Sequence, residues 1–192
     1  MMKRLILVLV ALALAGCATP PRLGFQMPPG PPERVQPLPV PPLDVQVNAL
    51  MDRLFIMVEE QRHRLNRDAR PLALDPELTA AAQSHSDDMA RKGSFDTENP
   101  DGNVAVNALL ADPKFRGYVG EIAAAQYFTP GAAIDPDKYA RGFLMIWINS
   151  PDHRMNLTYS RFERTGIGVA VSGNTIYAAA LFATDLGLPE PQ

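Results

Sequence analysis

The amino-acid sequence predicts an α+β domain, and two features carry that reading. Helix-start signals and helical apolar spacing come early in the chain, and a β-hairpin signal closes it. That order favours helices packed on a small antiparallel sheet. The single cysteine, Cys17, excludes an intramolecular disulfide, so stability must come from an apolar core.

Each element has its own signal. From Asp44 onward, Val47, Leu50, Met51, Leu54, Val58 and Leu65 recur at helical spacing with charged positions between them. Asp75-Pro76-Glu77 then supplies an N-cap, a proline at the first helical position and an acid in the first turn. The helix so begun places Leu78, Ala82, His85 and Met89 on one face, and Gly93 ends it. Residues 94–118, with Asn99-Pro100-Asp101-Gly102 and Asp112-Pro113, read as irregular and turn-rich. Gly120 to Phe128 is short and apolar, which leaves helix and strand both open. Asp135-Pro136-Asp137 repeats the helix start ahead of Phe143, Ile146 and Trp147. Ser150-Pro151-Asp152 is a third start, with His153 in its first turn. Gly166 to Val171 and Thr175 to Phe182 read as strands joined at Ser172-Gly173-Asn174.

The N-terminus has a different character. Lys3 and Arg4 precede an apolar run from Leu5 to Ala15, which ends in Leu14-Ala15-Gly16-Cys17. This is the pattern of a secretory signal, and the run is too short to span a bilayer core, which needs about 20 residues. The Leu-Ala-Gly-Cys ending resembles the bacterial lipobox. It implies removal of residues 1–16, acylation of Cys17 with palmitate-like chains, and a membrane anchor stronger than a single acyl chain provides. Ten prolines between Ala18 and Pro42 forbid regular hydrogen bonding and favour an extended polyproline spacer. At ~3.1 Å per residue, such a spacer reaches up to about 75 Å. The expected organisation is a signal peptide at 1–16, a lipidated cysteine and proline-rich linker at 17–43, a domain at 44–188 and a tail at 189–192.

The formal net charge is −3, and loss of Lys3 and Arg4 takes the mature chain to −5. No basic stripe exists, so nucleic acid is not an expected partner. Membrane association should rest on lipid rather than on a polybasic patch.

Several pieces, in this order, resemble the CAP superfamily: cysteine-rich secretory proteins, antigen 5 and pathogenesis-related proteins, also called the SCP domain. They are Gln61 to Arg64 for the family's Asn-x-x-Arg; Leu72; Asp75-Pro76-Glu77-Leu78 with Ala82; His85 to Ala90; Phe95 to Thr97 before Pro100-Asp101-Gly102; Gly117-Tyr118; and Gly120-Glu121-Ile122. The most specific stretch is Trp147 with Ser150, Pro151, His153, Arg154 and Asn156, followed by Gly166-Ile167-Gly168-Val169. The likeness covers residues 48–187 and is closest to the disulfide-free bacterial branch. It implies a three-layer α-β-α sandwich, in agreement with the order of elements.

The resemblance also implies a cleft of two histidines and one or two glutamates able to hold a divalent metal such as zinc. Carried over by position, the second histidine is His153 and the glutamate Glu121, but the first histidine falls on Thr97, and Ile122 replaces an asparagine. Catalytic zinc sites use three protein ligands of the imidazole or carboxylate type, and a neutral hydroxyl is a poor substitute. Asp96, Glu98 and His85 are supporting candidates, with Ser150, Arg154 and Asn156 beside them; no confident metal ligand emerges. His85, on the apolar face of its helix, reads as a hydrogen-bonded packing residue, and His153 as a group that pins two loops by bonding Glu121. No Gly-x-Ser-x-Gly elbow, free catalytic thiol or phosphate loop occurs. The expected function is a non-enzymatic envelope module for an apolar or envelope ligand (lipid, peptide or glycan). The alternative is a metal-dependent hydrolase of peptide or cell-wall substrates using Glu121 and His153. Ala18, rather than aspartate, after the lipidated cysteine points to the outer membrane, facing the periplasm.

Overall fold

A computed structural model describes residues 39–93, 104–111, 115 and 117–184. Helix α1 runs Leu43–Leu65, strand β1 Ala73–Leu74, α2 Pro76–Lys92, α3 Val104–Ala111 and β2 Val119–Tyr127. Helices α4 (Pro136–Asn149) and α5 (Pro151–Thr158) follow, then strands β3 (Arg164–Ser172) and β4 (Thr175–Ala183).

The helix starts follow from capping chemistry. The Asp75 carboxylate accepts from the backbone N–H groups of Glu77 and Leu78, and Pro76 occupies the first helical position, where no N–H is required. Arg164 Nη1 sits 2.9 Å from the second Asp75 oxygen and ties the cap to β3. Gly93 ends α2 in the left-handed conformation, at φ 63°. Asp135 caps α4 through the Lys138 N–H. The third start differs: α5 begins after Ser150, but no side-chain hydrogen bond caps it.

The sheet has the order β1-β3-β4-β2. Strands β3 and β4 form the expected hairpin, turning at Gly173 with φ 59°. The ambiguous apolar segment becomes β2, an antiparallel partner of β4 along its whole length. The sheet is nevertheless not purely antiparallel, because β1 adds two residues parallel to β3. Residues 94–118 also depart from the irregular reading, since they contain α3.

Strand alternation divides the core in two. Ile176, Ala178, Ala180 and Phe182 of β4 join Leu50, Leu54, Phe143, Trp147 and Leu157 on the side of α1, α4 and α5. Tyr177, Ala179, Leu181 and Ala183 join Leu78, Ala82 and Met89 of α2 on the other side. Every residue of β4 is buried because helices cover both faces. This explains its unbroken apolar run, which shows no alternation in sequence. The outcome is the three-layer α-β-α sandwich. Among the described residues, no helix is long and apolar enough to cross a membrane.

Candidate functional site

Helix α2 presents its apolar face to the sheet, which carries His85 toward the sheet with Leu78, Ala82 and Met89. On β2, Ile122 and Ala124 point to the α1–α4 side and Ala123 to the α2 side. Glu121, one residue before Ile122, therefore shares the α2 side. The two side chains meet: His85 Nε2 lies 3.5 Å from Glu121 Oε1, and they are 17% and 25% exposed. A partly screened imidazole–carboxylate pair of this kind can hold one proton between its members or bind a polar group jointly.

His153 is not the imidazole that meets Glu121. It lies on α5, whose Leu157 packs into the core on the opposite side of the sheet. Its Nδ1 is buried without a hydrogen-bond partner. The link from α5 to β2 is made instead by Asn156, whose Nδ2 donates to the Glu121 backbone carbonyl at 3.0 Å. Gly120 permits this approach, since a Cβ there would fall 2.9 Å from Asn156 Oδ1 and 2.7 Å from the Phe162 ring. The remaining candidates serve the helix ends. The Ser150 carbonyl accepts from the Arg154 N–H, and Arg154 Nη1 reaches the Ile148 carbonyl at 3.3 Å. Cys17, Asp96, Thr97 and Glu98 lie outside the described residues.

Burial holds the His153 imidazole below the ordinary histidine value, while neighbouring Asp152 pulls it the other way. A histidine whose pKa is depressed on folding binds protons more weakly in the native state than in the unfolded chain. Stability should therefore fall as pH drops from the ordinary histidine value, near 6.5, towards the lower native one. Thermal melts of the wild type and His153→Gln between pH 7.5 and 5 would check this. The wild type should lose more stability on acidification than the variant.

The fold family implies a divalent metal such as zinc. His85 and Glu121 offer two donors, and among the described residues no group of three or more His, Cys, Asp and Glu gathers. These two donors are fewer than the three that a catalytic zinc uses, and the candidates Asp96, Thr97 and Glu98 lie outside the described residues, so no metal-dependent step is assigned here.

A second feature has no counterpart in the sequence reading. Leu43, Val47 and Met51 of α1, Thr79, Ala80 and Gln83 of α2, and Val169 to Val171 of β3 line an open groove of about 820 Å³. The i, i+4, i+8 spacing of Leu43, Val47 and Met51 marks one helix face, but only the fold reveals that its upper part is left uncovered.

The three-layer α-β-α sandwich, with helices on both faces of a four-stranded sheet, is the architecture of CAP (SCP) domains. The chain belongs to the cysteine-rich secretory protein (CAP) family, whose model matches residues 61–184. It is similar to the uncharacterised protein YkwD of Bacillus subtilis, at 26% identity over 58% of this chain, and it spans 39% of that relative's length. Among solved structures it resembles an extracellular protein containing an SCP domain from Bacillus anthracis. That match has 27% identity and a TM-score of 0.55, and covers 77% of this chain and 45% of the other. An outer surface protein of Borrelia burgdorferi shares the fold at 18% identity and a TM-score of 0.53, covering 70% of this chain and 92% of the other.

Proposed function

We propose that this chain is an acylated cell-envelope lipoprotein whose CAP domain is a binding module rather than an enzyme. In this reading Cys17 carries the anchor, the proline-rich segment holds the domain away from an outer membrane, and the domain faces the periplasm. The observation that carries the binding role is the groove between α1 and α2. Its volume of about 820 Å³ falls in the range of ligand pockets, roughly 300–1,000 Å³. Leu43, Val47, Met51, Leu74, Ala80 and Val169 give it a largely apolar lining. The extracellular and outer-surface descriptions of the similar proteins from Bacillus anthracis and Borrelia burgdorferi support an envelope location.

The test uses the chain from position 17 onward, carrying Cys17→Ser so that no acyl group is attached, titrated with the neutral apolar dye Nile red. Blue-shifted emission is expected, with its loss in Ala80→Asp, an exposed substitution on the groove wall. Equal dye binding by both proteins would exclude the groove. Cleavage of peptide or cell-wall substrates by the same protein, abolished by His153→Ala or Glu121→Gln, would overturn the non-enzymatic reading.

A further inference from the structure

Among the described residues, strand β3 has a neighbouring strand on its outer side only where β1 pairs with Arg164 and Thr165. Among the described residues, no strand continues beside it from Gly166 to Ser172. A bare strand edge presents N–H and C=O groups that template another extended chain. Here one residue of that edge is held by a side chain. Gln83 Nε2 donates to the Val169 carbonyl at 2.9 Å, and the Val169 N–H donates to Gln83 Oε1 at 3.1 Å. A side-chain amide has the same donor and acceptor as a peptide group, so Gln83 stands where one residue of an adjacent strand would stand.

The groove reaches this edge at Val169, Ala170 and Val171, and its walls differ. The α1 wall offers Leu43, Val47 and Met51, whereas the α2 wall offers Thr79, Ala80, Gln83 and Asp87. Among the described residues, Asp44, Asp75 and Asp87 are the charged ones that line the groove, and no lysine, arginine or histidine lines it. Asp75 is committed to its helix cap and to Arg164. Asp44 and Asp87 are exposed, and Asp87 Oδ1 also accepts from Gln83 Nε2 at 3.0 Å, a bond that is given up when the incoming chain displaces Gln83.

We infer that the groove takes an extended peptide segment of alternating apolar and basic residues, added as a short strand along the part of β3 that lines it, Val169 to Val171. This inference rests on the binding-module reading and narrows its ligand. Alternation matches the site because successive side chains of a strand point to opposite faces. Apolar side chains would pack on Leu43, Val47 and Met51, and basic ones would face Asp87. Main-chain bonds to β3 supply affinity, and the two walls supply selectivity. The incoming chain displaces the Gln83 clasp at Val169.

The probe is a fluorescein-labelled octapeptide of alternating valine and lysine, titrated by anisotropy into the Cys17→Ser chain at low salt. Binding is expected. Methylation of alternate backbone amides should weaken it about tenfold or more, because each lost ladder bond leaves a partner unsatisfied. Asp87→Lys, exposed and outside both cores, should weaken it about fivefold or more by placing like charges together. Gln83→Ala should tighten it a few-fold, roughly the effect of one competing hydrogen bond removed; a melt of this variant confirms that it remains folded. Equal binding of the methylated peptide would overturn strand addition, as would unchanged affinity in Asp87→Lys or Gln83→Ala. If the peptide fails while Nile red still enters, or while palmitate displaces the dye, the groove takes an apolar small molecule and the peptide assignment falls alone. If neither peptide nor dye binds, the binding-module reading falls with it.

Discussion

Substituting alanine for Gly168 should cost about 3 kcal/mol or more, towards the severe end for adding one methyl to a packed interface. Gly166 and Gly168 point from β3 toward α2, alternating with Ile167 and Val169, which enter the core on the other side. A Cβ at Gly168 would overlap the backbone of Ala82 and Gln83, and one at Gly166 would overlap the backbone of Leu78 and Thr79. Helix backbone cannot rotate aside as a side chain can, so the whole of α2 must lift from the sheet. Lifting it also breaks the bond from the fully buried Ser86 hydroxyl to the Gly168 carbonyl, 3.0 Å long. For a domain of this size, 3 kcal/mol corresponds to a fall of about 10 °C in melting temperature. Because either methyl displaces the same helix, the double variant Gly166→Ala/Gly168→Ala should lose less than the sum of the two. Chemical denaturation of the three variants would check both statements. A single variant within about 0.5 kcal/mol of wild type would contradict the close approach.

Replacing Arg62 with methionine should destabilise the domain by about 3–5 kcal/mol. Arg62 is fully buried near the end of α1. Nη1 donates to the carbonyls of Leu157 at 2.8 Å and Tyr159 at 3.2 Å, and Nη2 to those of Phe162 at 3.1 Å and Arg70 at 3.3 Å. One guanidinium thus gathers the end of α5, the loop before β1 and the loop before β3, while its Cζ lies 5.9 Å from the centroid of the Phe182 ring. Burial lowers its pKa from the ordinary arginine value, and the Glu59 charge opposes this. Methionine fills much of the volume but leaves those buried carbonyls without their donor. Arg62→Lys should recover only part of the loss, because a single ammonium cannot reproduce the planar fork. Urea melts of both variants provide the measurement, and full stability in Arg62→Lys would show that charge rather than geometry matters.

Arg62 also shows what a motif alignment leaves open. Aligning Gln61 to Arg64 with the family's Asn-x-x-Arg selects Arg64, yet Arg64 is an exposed side chain paired with Glu60 at 3.5 Å. Both arginines lie on one helix, two residues apart, and so face different directions. Which one turns inward depends on where α5 and the two loops supply carbonyls, and three of those four carbonyls lie about a hundred residues away in sequence. The pairing of Glu121 follows the same logic. The motif favours His153, but strand parity puts Glu121 on the α2 face, where the apolar side of α2 carries His85. Reading the pair needs both the strand at 119–127 and the packing of α2 on that face of the sheet. The apolar run Ile122 to Ala125 within that strand hides the alternation, because helices cover both faces of the sheet.

Capping residues, glycine turns and apolar spacing act over a few residues, and they sufficed to determine α1, α2, α4, α5 and the closing hairpin, together with the α+β class; the three-layer α-β-α arrangement was implied by the resemblance to the CAP family. Which imidazole reaches Glu121, which arginine is buried, and where the sheet keeps an open edge required contacts between segments far apart in the chain. Such contacts depend on loop paths and strand order, for which no local pattern of side chains carries a signal.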